Sequence, residues 1–231
     1  MRLIILFIAL LANLATAAEP VIHLGVHNFP PYFVMTSQDQ CEGSAVEQTR
    51  ALLQTNDITV QVICATPARI YKMLQSGEVD LTINIKQTKA LPDNISFIAT
   101  PYARLSLVLL SHGAAVAREK TPSIASIRGF DYHGQRQILT DKGYQFIDFP
   151  DSISAVELFI KGRSSALITY EAPFNYYLQQ NQLPFANNYQ RQLLEHIDAF
   201  YVVANSSKLK AYIEQTLQHH ADTAQLSYFA N

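Results

Sequence analysis

Apolar and polar positions alternate along the chain in a repeating order. Residues 21–27 (VIHLGVH) form an apolar, partly alternating run that ends in Asn28, Phe29, Pro30 and Pro31, which predicts a strand followed by a turn. Over residues 44–55, Ala45, Val46, Leu52 and Leu53 share one helical face. Ile58, Val60, Val62 and Cys64 then alternate with polar or small neighbours, the mark of a half-buried strand. Thr66 and Pro67 start a helix, a cap followed by a first-turn proline, and Gly77 closes it. Residues 79–85 (VDLTINI) read as a third strand, and this strand and helix order implies parallel pairing with right-handed crossovers.

The second half repeats that order. Residues 124–127 predict a short strand, 132–142 a helix ended by Gly143, and 145–149 a strand. Asp151 and Ser152 cap a helix that runs through Lys161 to Gly162, and 166–169 are again a strand. MLQSGEVDLTI and LFIKGRSSALI are alike, each a helix end, a glycine, a polar link and a buried strand, which points to two lobes of related build. Residues 105–110 (LSLVLL) lead into the second lobe, 200–204 (FYVVA) lead out of it, and a last helix over 206–221 returns to the first. The fold class is therefore α/β: two lobes, each a mostly parallel sheet flanked by helices, joined by two crossovers. Residues 18–104 with 204–231 make lobe one and 105–203 lobe two. Open parallel sheets bind ligands at the carboxyl ends of their strands, so facing lobes set those loops across one cleft.

The first residues change where this fold is expected to work. Arg2, an apolar block and Ala15, Thr16 and Ala17 make a secretory signal over residues 1–17, with cleavage after Ala17. The block is about ten residues long, short of the roughly twenty that a membrane span needs. Of the 17 Lys and Arg against 19 Asp and Glu, only Arg2 leaves with it, so the exported chain is mildly acidic. It has no basic run, which argues against nucleic acid or an anionic membrane as partner. Export permits Cys41 and Cys64 to form a disulfide, the alternative being two free thiols.

Signatures of catalysis are missing from the sequence: no G-x-S-x-G elbow, phosphate loop, dinucleotide fingerprint or HExxH occurs. Adjacent His219 and His220 face different directions on the last helix and make a poor chelate, and Glu47 has no evident partner for base chemistry. No catalytic residue, metal or cofactor is expected.

The segments LGVHNFPPYF, SAVEQTRALL, ARIYKMLQSGEVDLTI, ATPYARLSLVL, ASIRGFDY and ISAVELFIKGRSSALI resemble, in order and spacing, the family 3 extracellular solute-binding proteins. The resemblance implies the periplasmic binding protein type II fold, a monomer that captures a small solute, and an inner-membrane ABC permease as partner. A ligand-sensing or orphan receptor module, or a dehydratase-like periplasmic enzyme on the same cleft, is the other reading. Amino-acid binders of this family use an arginine after the third strand and an aspartate at a lobe-two strand end. The matching positions here fall near Pro92 and near Tyr170, so both charges are missing, with Lys86, Lys89 or Glu171 as substitutes. The expected solute is therefore small and polar or anionic, and need not be an amino acid.

Within this frame Phe29 and Tyr32 stand where the family places an aromatic wall, or else close the core at a proline turn. Arg69, in the first turn after Thr66, either holds an acidic group or is a solvated surface residue. Asn84, Lys86 and Thr88 alternate at the end of the third strand and are expected on the cleft face. Tyr102 heads the crossover. Arg128, Phe130 and Tyr132 belong to a strand-to-helix turn suited to an anion, with Arg128 the leading candidate. Tyr170 and Glu171, after the last lobe-two strand, complete the set.

Overall fold

The computed structural model describes residues 19–37, 40–112, 120–184 and 189–230. The expected signal segment lies outside them. The elements run β1 (Val21–Val26), β2 (Val34–Ser37), β3 (Gln40–Glu42), α1 (Ser44–Leu53), β4 (Thr59–Cys64), α2 (Pro67–Ser76), β5 (Leu81–Ile85), β6 (Ile95–Phe97) and β7 (Ala103–Ser111). They continue with β8 (Ser123–Ile127), α3 (Gln135–Asp141), β9 (Gln145–Phe149), α4 (Ser152–Ile160), β10 (Ala166–Tyr170), α5 (Glu171–Gln180), β11 (Gln190–Ala204) and α6 (Lys210–Thr223).

Among the described residues one sheet carries the order β4-β1-β5-β11-β7-β10-β8-β9, with β6 on β11. In lobe one β1 pairs in parallel with β4 and β5, and in lobe two β8 pairs in parallel with β9 and β10. Crossover strands β7 and β11 run antiparallel to each other between the lobes, and each also pairs antiparallel with one lobe's inner strand, β11 with β5 and β7 with β10. The register of β11 on β7 shifts between Leu193 and Glu195, close to where β10 joins through the Tyr170 and Leu107 pair. Such an irregularity bends and twists the ladder locally.

Local chemistry explains the better-defined elements. Pro67 sits in the first turn of α2, where its missing N–H costs nothing, and Gly77 ends the helix at φ 81°, a left-handed conformation natural to glycine. Asp151 caps α4 by accepting from the Ser154 amide at 2.9 Å. Buried Asp80 ties lobe one together, accepting from the His23 amide at 2.8 Å and from the Ser207 hydroxyl at 2.6 Å. That second bond fastens the chain entering α6 to the sheet, and the Tyr212 hydroxyl donates to Leu53 O at 2.9 Å.

Ile22, Leu24 and Leu81 of lobe one, like Ile124 and Leu167 of lobe two, are wholly buried. Each such side chain contributes roughly 1.5–3 kcal/mol by leaving water. Cys41 and Cys64 form a disulfide, Cα atoms 5.5 Å apart, that pins the β2–β3 hairpin to the end of β4. In the chain-entropy account a closed loop of this size stabilises by about 3 kcal/mol.

Some elements differ from expectation. The helix expected over 132–142 begins only at Gln135, because Tyr132, His133 and Gly134 have φ of 51°, 56° and 79°. The Tyr132 hydroxyl, accepting from the Ile127 amide at 2.6 Å, holds that turn open. Strand β11 is far longer than the expected run over 200–204, and β2, β3, β6 and α5 were not anticipated.

Candidate ligand-binding cleft

Carboxyl ends of β1 and β5 face those of β8 and β10, and three adjoining cavities open between them. An inner one of about 50 Å³ is walled by rings, among them Phe29, Tyr32, Tyr71, Tyr102 and Tyr170. A side cavity of about 110 Å³ runs past Asn28, Pro67 and Ser152. The outer one, about 340 Å³, is bordered by Thr88 and Lys89 from lobe one and by Arg128, Asp131 and His133 from lobe two. Phe130 borders all three and stands at their junction.

The lobe-one wall is fixed by its own backbone. Phe29 and Phe33 exchange amide bonds at 2.8 and 3.0 Å around the Pro30–Pro31 cis peptide, closing a tight loop that presents Phe29 and Tyr32. These two rings stack at 6.3 Å. Gly43, at φ 124°, lets the start of α1 press on this loop, since a Cβ there would lie 2.5 Å from Tyr32 O. His27, the residue after β1, borders two cavities and is otherwise enclosed by protein, so burial lowers its pKa from 6.5 to about 4. At neutral pH it is therefore an uncharged imidazole.

Polar capacity on this wall is largely used internally. The Asn84 amide donates to the Tyr71 hydroxyl at 2.8 Å, while its carbonyl accepts from Thr88 Oγ1 at 2.7 Å and from the Ile85 amide at 2.8 Å. Burial pushes the Tyr71 hydroxyl up in pKa, with the Asn84 bond opposing. Tyr102 and Tyr170 are pushed up as well, first by burial. None of the three ionises near neutral pH.

The lobe-two wall is built on a turn that carries Phe130 and Tyr132, beside Tyr170. Between Arg128 and Gln135, Gly129, Tyr132, His133 and Gly134 all have positive φ, an arrangement that clusters at ligand sites. Arg136 clamps it from behind, donating to Phe130 O at 2.9 Å and to Asp148 Oδ1 at 2.7 Å. Burial works against ionised Asp148, but the Arg136 and Ser126 bonds prevail and hold its pKa below the usual carboxylate value. Arg128 lies beside this clamp, adding its charge to the pull on Asp148, and is exposed at the edge of the outer cavity with no ion pair among the described residues.

An ion pair and a ring contact span the cleft. Lys89 Nζ lies 3.0 Å from Asp131 Oδ2, and the Phe29 and Tyr170 rings meet edge to face at 5.5 Å.

The structure gathers at these cavities Phe29, Tyr32, Asn84, Thr88 and Tyr102 from one lobe, with Arg128, Phe130, Tyr132 and Tyr170 from the other. It sets three candidates apart. Lys86 Nζ lies over the Phe200 ring, 4.1 Å from its centre, because β5 ends at Ile85 and strict alternation stops there. Glu171 starts α5 and is gripped by Arg191 at 2.6 and 2.9 Å. Arg69 is exposed on α2 and borders none of the three cavities. Sequence reasoning missed His27, Tyr71 and His133. The position of His27 at a strand's carboxyl end was the available signal. Among the described residues no group of three or more His, Cys, Asp or Glu is placed to hold a metal ion.

Residues 22–227 match the family described as bacterial extracellular solute-binding proteins, family 3. No curated relative matches the sequence. Similar solved structures include the GluR0 ligand-binding core in complex with L-glutamate, at 17% identity over 90% of this chain and 97% of that one, TM-score 0.67. A histidine kinase sensor domain similar to periplasmic binding proteins is 19% identical over 90% and 92%, TM-score 0.68. A substrate-binding protein of an ABC uptake transporter from Streptococcus pneumoniae, with bound histidine, is 15% identical over 89% and 87%, TM-score 0.68. At these identities the likeness concerns the two-lobed fold.

Proposed function

The chain belongs to the bacterial extracellular solute-binding proteins, family 3, and on that premise we propose that it is exported to the periplasm and captures a small polar or anionic solute between its lobes. It hands the closed form to an inner-membrane ABC permease and leaves the solute chemically unchanged. The observation that carries this reading is the outer cavity, where Arg128, with no ion pair among the described residues, stands opposite Thr88 and Lys89 of the other lobe. A guanidinium at a cleft edge is a ready partner for a carboxylate or another planar anion.

The mechanism is hinge closure. Residues 18–104 with 204–231 move against 105–203, and the β7 and β11 pair supplies the hinge, its register shift at Leu193 and Glu195 absorbing the bend. The Lys89–Asp131 ion pair and the Phe29–Tyr170 contact then belong to the closed state, in which the solute bridges both walls. The protein acts as a monomer, and Phe29, Tyr32, Asn84, Thr88, Tyr102, Arg128, Phe130, Tyr132 and Tyr170 meet the solute or hold groups that do.

A thermal-shift screen over amino acids, polyamines, small organic acids and sugars tests this. A ligand that binds only the folded state raises Tm by mass action, about 2.7 kcal/mol of stability at a hundred times its Kd. One solute class should stabilise the protein and be recovered unchanged. Recovery of an altered solute would make the protein an enzyme, and a flat screen would remove the binding reading.

A further inference from the structure

The charges around the cleft narrow the class of solute, and this step rests on the solute-binding reading above. Among the described residues Asp131 is the carboxylate that borders the inner and outer cavities. Asp131 pairs with Lys89 at 3.0 Å, and Glu195 lies 3.2 Å from His133 Nδ1. Asp151 borders the side cavity alone, where it accepts from the Ser154 amide and hydroxyl, each at 2.9 Å. Arg128 makes no ion pair among the described residues, although its charge helps hold the Asp148 pKa down. In the inner and outer cavities a ligand ammonium therefore meets no carboxylate without an ion pair, whereas a ligand carboxylate meets a guanidinium that has none. Asp131 could be released only by uncovering Lys89, which would face the ligand as a second cation.

The inner cavity adds a second, independent observation. Its surfaces are rings, and His27 beside them is neutral, so it offers a flat apolar body what it denies a hydrated ion. Tyr102, 2% exposed, borders it, and among the described residues its hydroxyl meets no partner in good hydrogen-bond geometry, although the Ser44 side chain is near enough to oppose the rise in its pKa. A buried polar group left unpaired is costly, and a ligand that completes it removes that cost. The inner and outer cavities share Tyr71, Ile85, Phe130 and Tyr170, so one molecule can occupy both.

We propose that the cleft selects a small aromatic monoanion without an α-ammonium group, its carboxylate on Arg128 and its ring against Phe130, Tyr71 and Tyr170. A hydroxyl or carbonyl on the far side of the ring completes the Tyr102 hydroxyl. This solute differs from an amino acid by what it lacks.

Four commercial compounds isolate the claim: 4-hydroxyphenylacetate, phenylacetate, L-tyrosine and tyramine. Calorimetric titration should find 4-hydroxyphenylacetate the tightest and phenylacetate weaker, with Tyr102→Phe erasing the difference. L-Tyrosine should be weaker than the hydroxy acid by about ten-fold or more, and tyramine should not bind. Arg128→Ala should weaken the acid about ten- to a hundred-fold, the usual range for losing a charged hydrogen bond. The unliganded Tm should stay the same, and Arg128→Lys should restore part of the affinity. L-Tyrosine binding as tightly as the acid, or an acid affinity indifferent to Arg128→Ala, would overturn the proposal. If amino acids bind and none of the acids does, the proposal fails and solute binding stands. If nothing binds in this set or the wider screen, both fail.

Discussion

In lobe one β4, β1 and β5 run parallel beside crossover β11, and in lobe two β9, β8 and β10 run parallel beside crossover β7. Each half places its first strand in the middle, its second at the edge and its third inside. The loops at the strand ends nevertheless differ in kind. Lobe one presents rings held by a tight loop, a disulfide-pinned hairpin and a glycine against Tyr32 O. Lobe two presents a left-handed turn, clamped by Arg136 through Phe130 O, with an exposed arginine at its rim. One scaffold thus divides recognition, with shape from rings embedded in the core and charge from the exposed rim of the lobe-two turn. The difference predicts that changes in lobe one are felt by folding and changes in lobe two by binding.

The largest expected effect is Gly43→Ala. Its φ of 124° disfavours any side chain, and the new Cβ would meet the Tyr32 and Pro31 carbonyl oxygens at 2.5 and 2.9 Å. Urea denaturation should show a loss of about 3 kcal/mol or more. A loss below about 1 kcal/mol would mean that this wall is not rigid.

Next comes acid sensitivity in lobe one. His27 has a folded pKa of about 4 against an ordinary 6.5, so below pH 6.5 the unfolded chain takes up a proton that the folded chain refuses. Stability is complete above 6.5 and falls as pH drops toward 4, by up to about 3 kcal/mol, then levels off. Denaturation curves at pH 7 and 4.5 should differ less for His27→Gln than for the parent protein.

The matched change in lobe two is smaller. Gly129 also has a positive φ, 79°, but a Cβ there meets nothing within 4 Å, so Gly129→Ala should cost only the conformational strain, about 1 kcal/mol. Smallest is Lys89→Ala, which removes an ion pair whose side chains are 83% and 43% exposed. Its effect on stability should stay below about 1 kcal/mol, with any larger change confined to ligand affinity.

Much of the scaffold was legible because its signals are local. Thr66, Pro67 and Gly77 mark α2 without reference to the rest of the chain, and the paired glycine links before β5 and β10 reveal the repeated halves. The first part of β11 was not. Its polar run from Gln190 becomes a strand only because β7 lies beside it, a contact that sequence periodicity does not carry. The cleft divides the same way. Phe29 and Tyr32 follow a strand and a proline turn, so their place could be read. Tyr71 looks like helix core until Asn84 is seen to hold its hydroxyl. Lys86 was misplaced because alternation was carried past the end of β5. Glu171 was misplaced because its partner Arg191 lies in the unread part of β11.

The central claim is that a solute joins two unlike walls by bringing them together. Spin labels at exposed Glu78 and Lys142, one per lobe, with distances read by double electron–electron resonance, test it directly. The account predicts a broad distance distribution without solute and a shorter, narrow one once the stabilising solute is added. Identical distributions in the two conditions would contradict it.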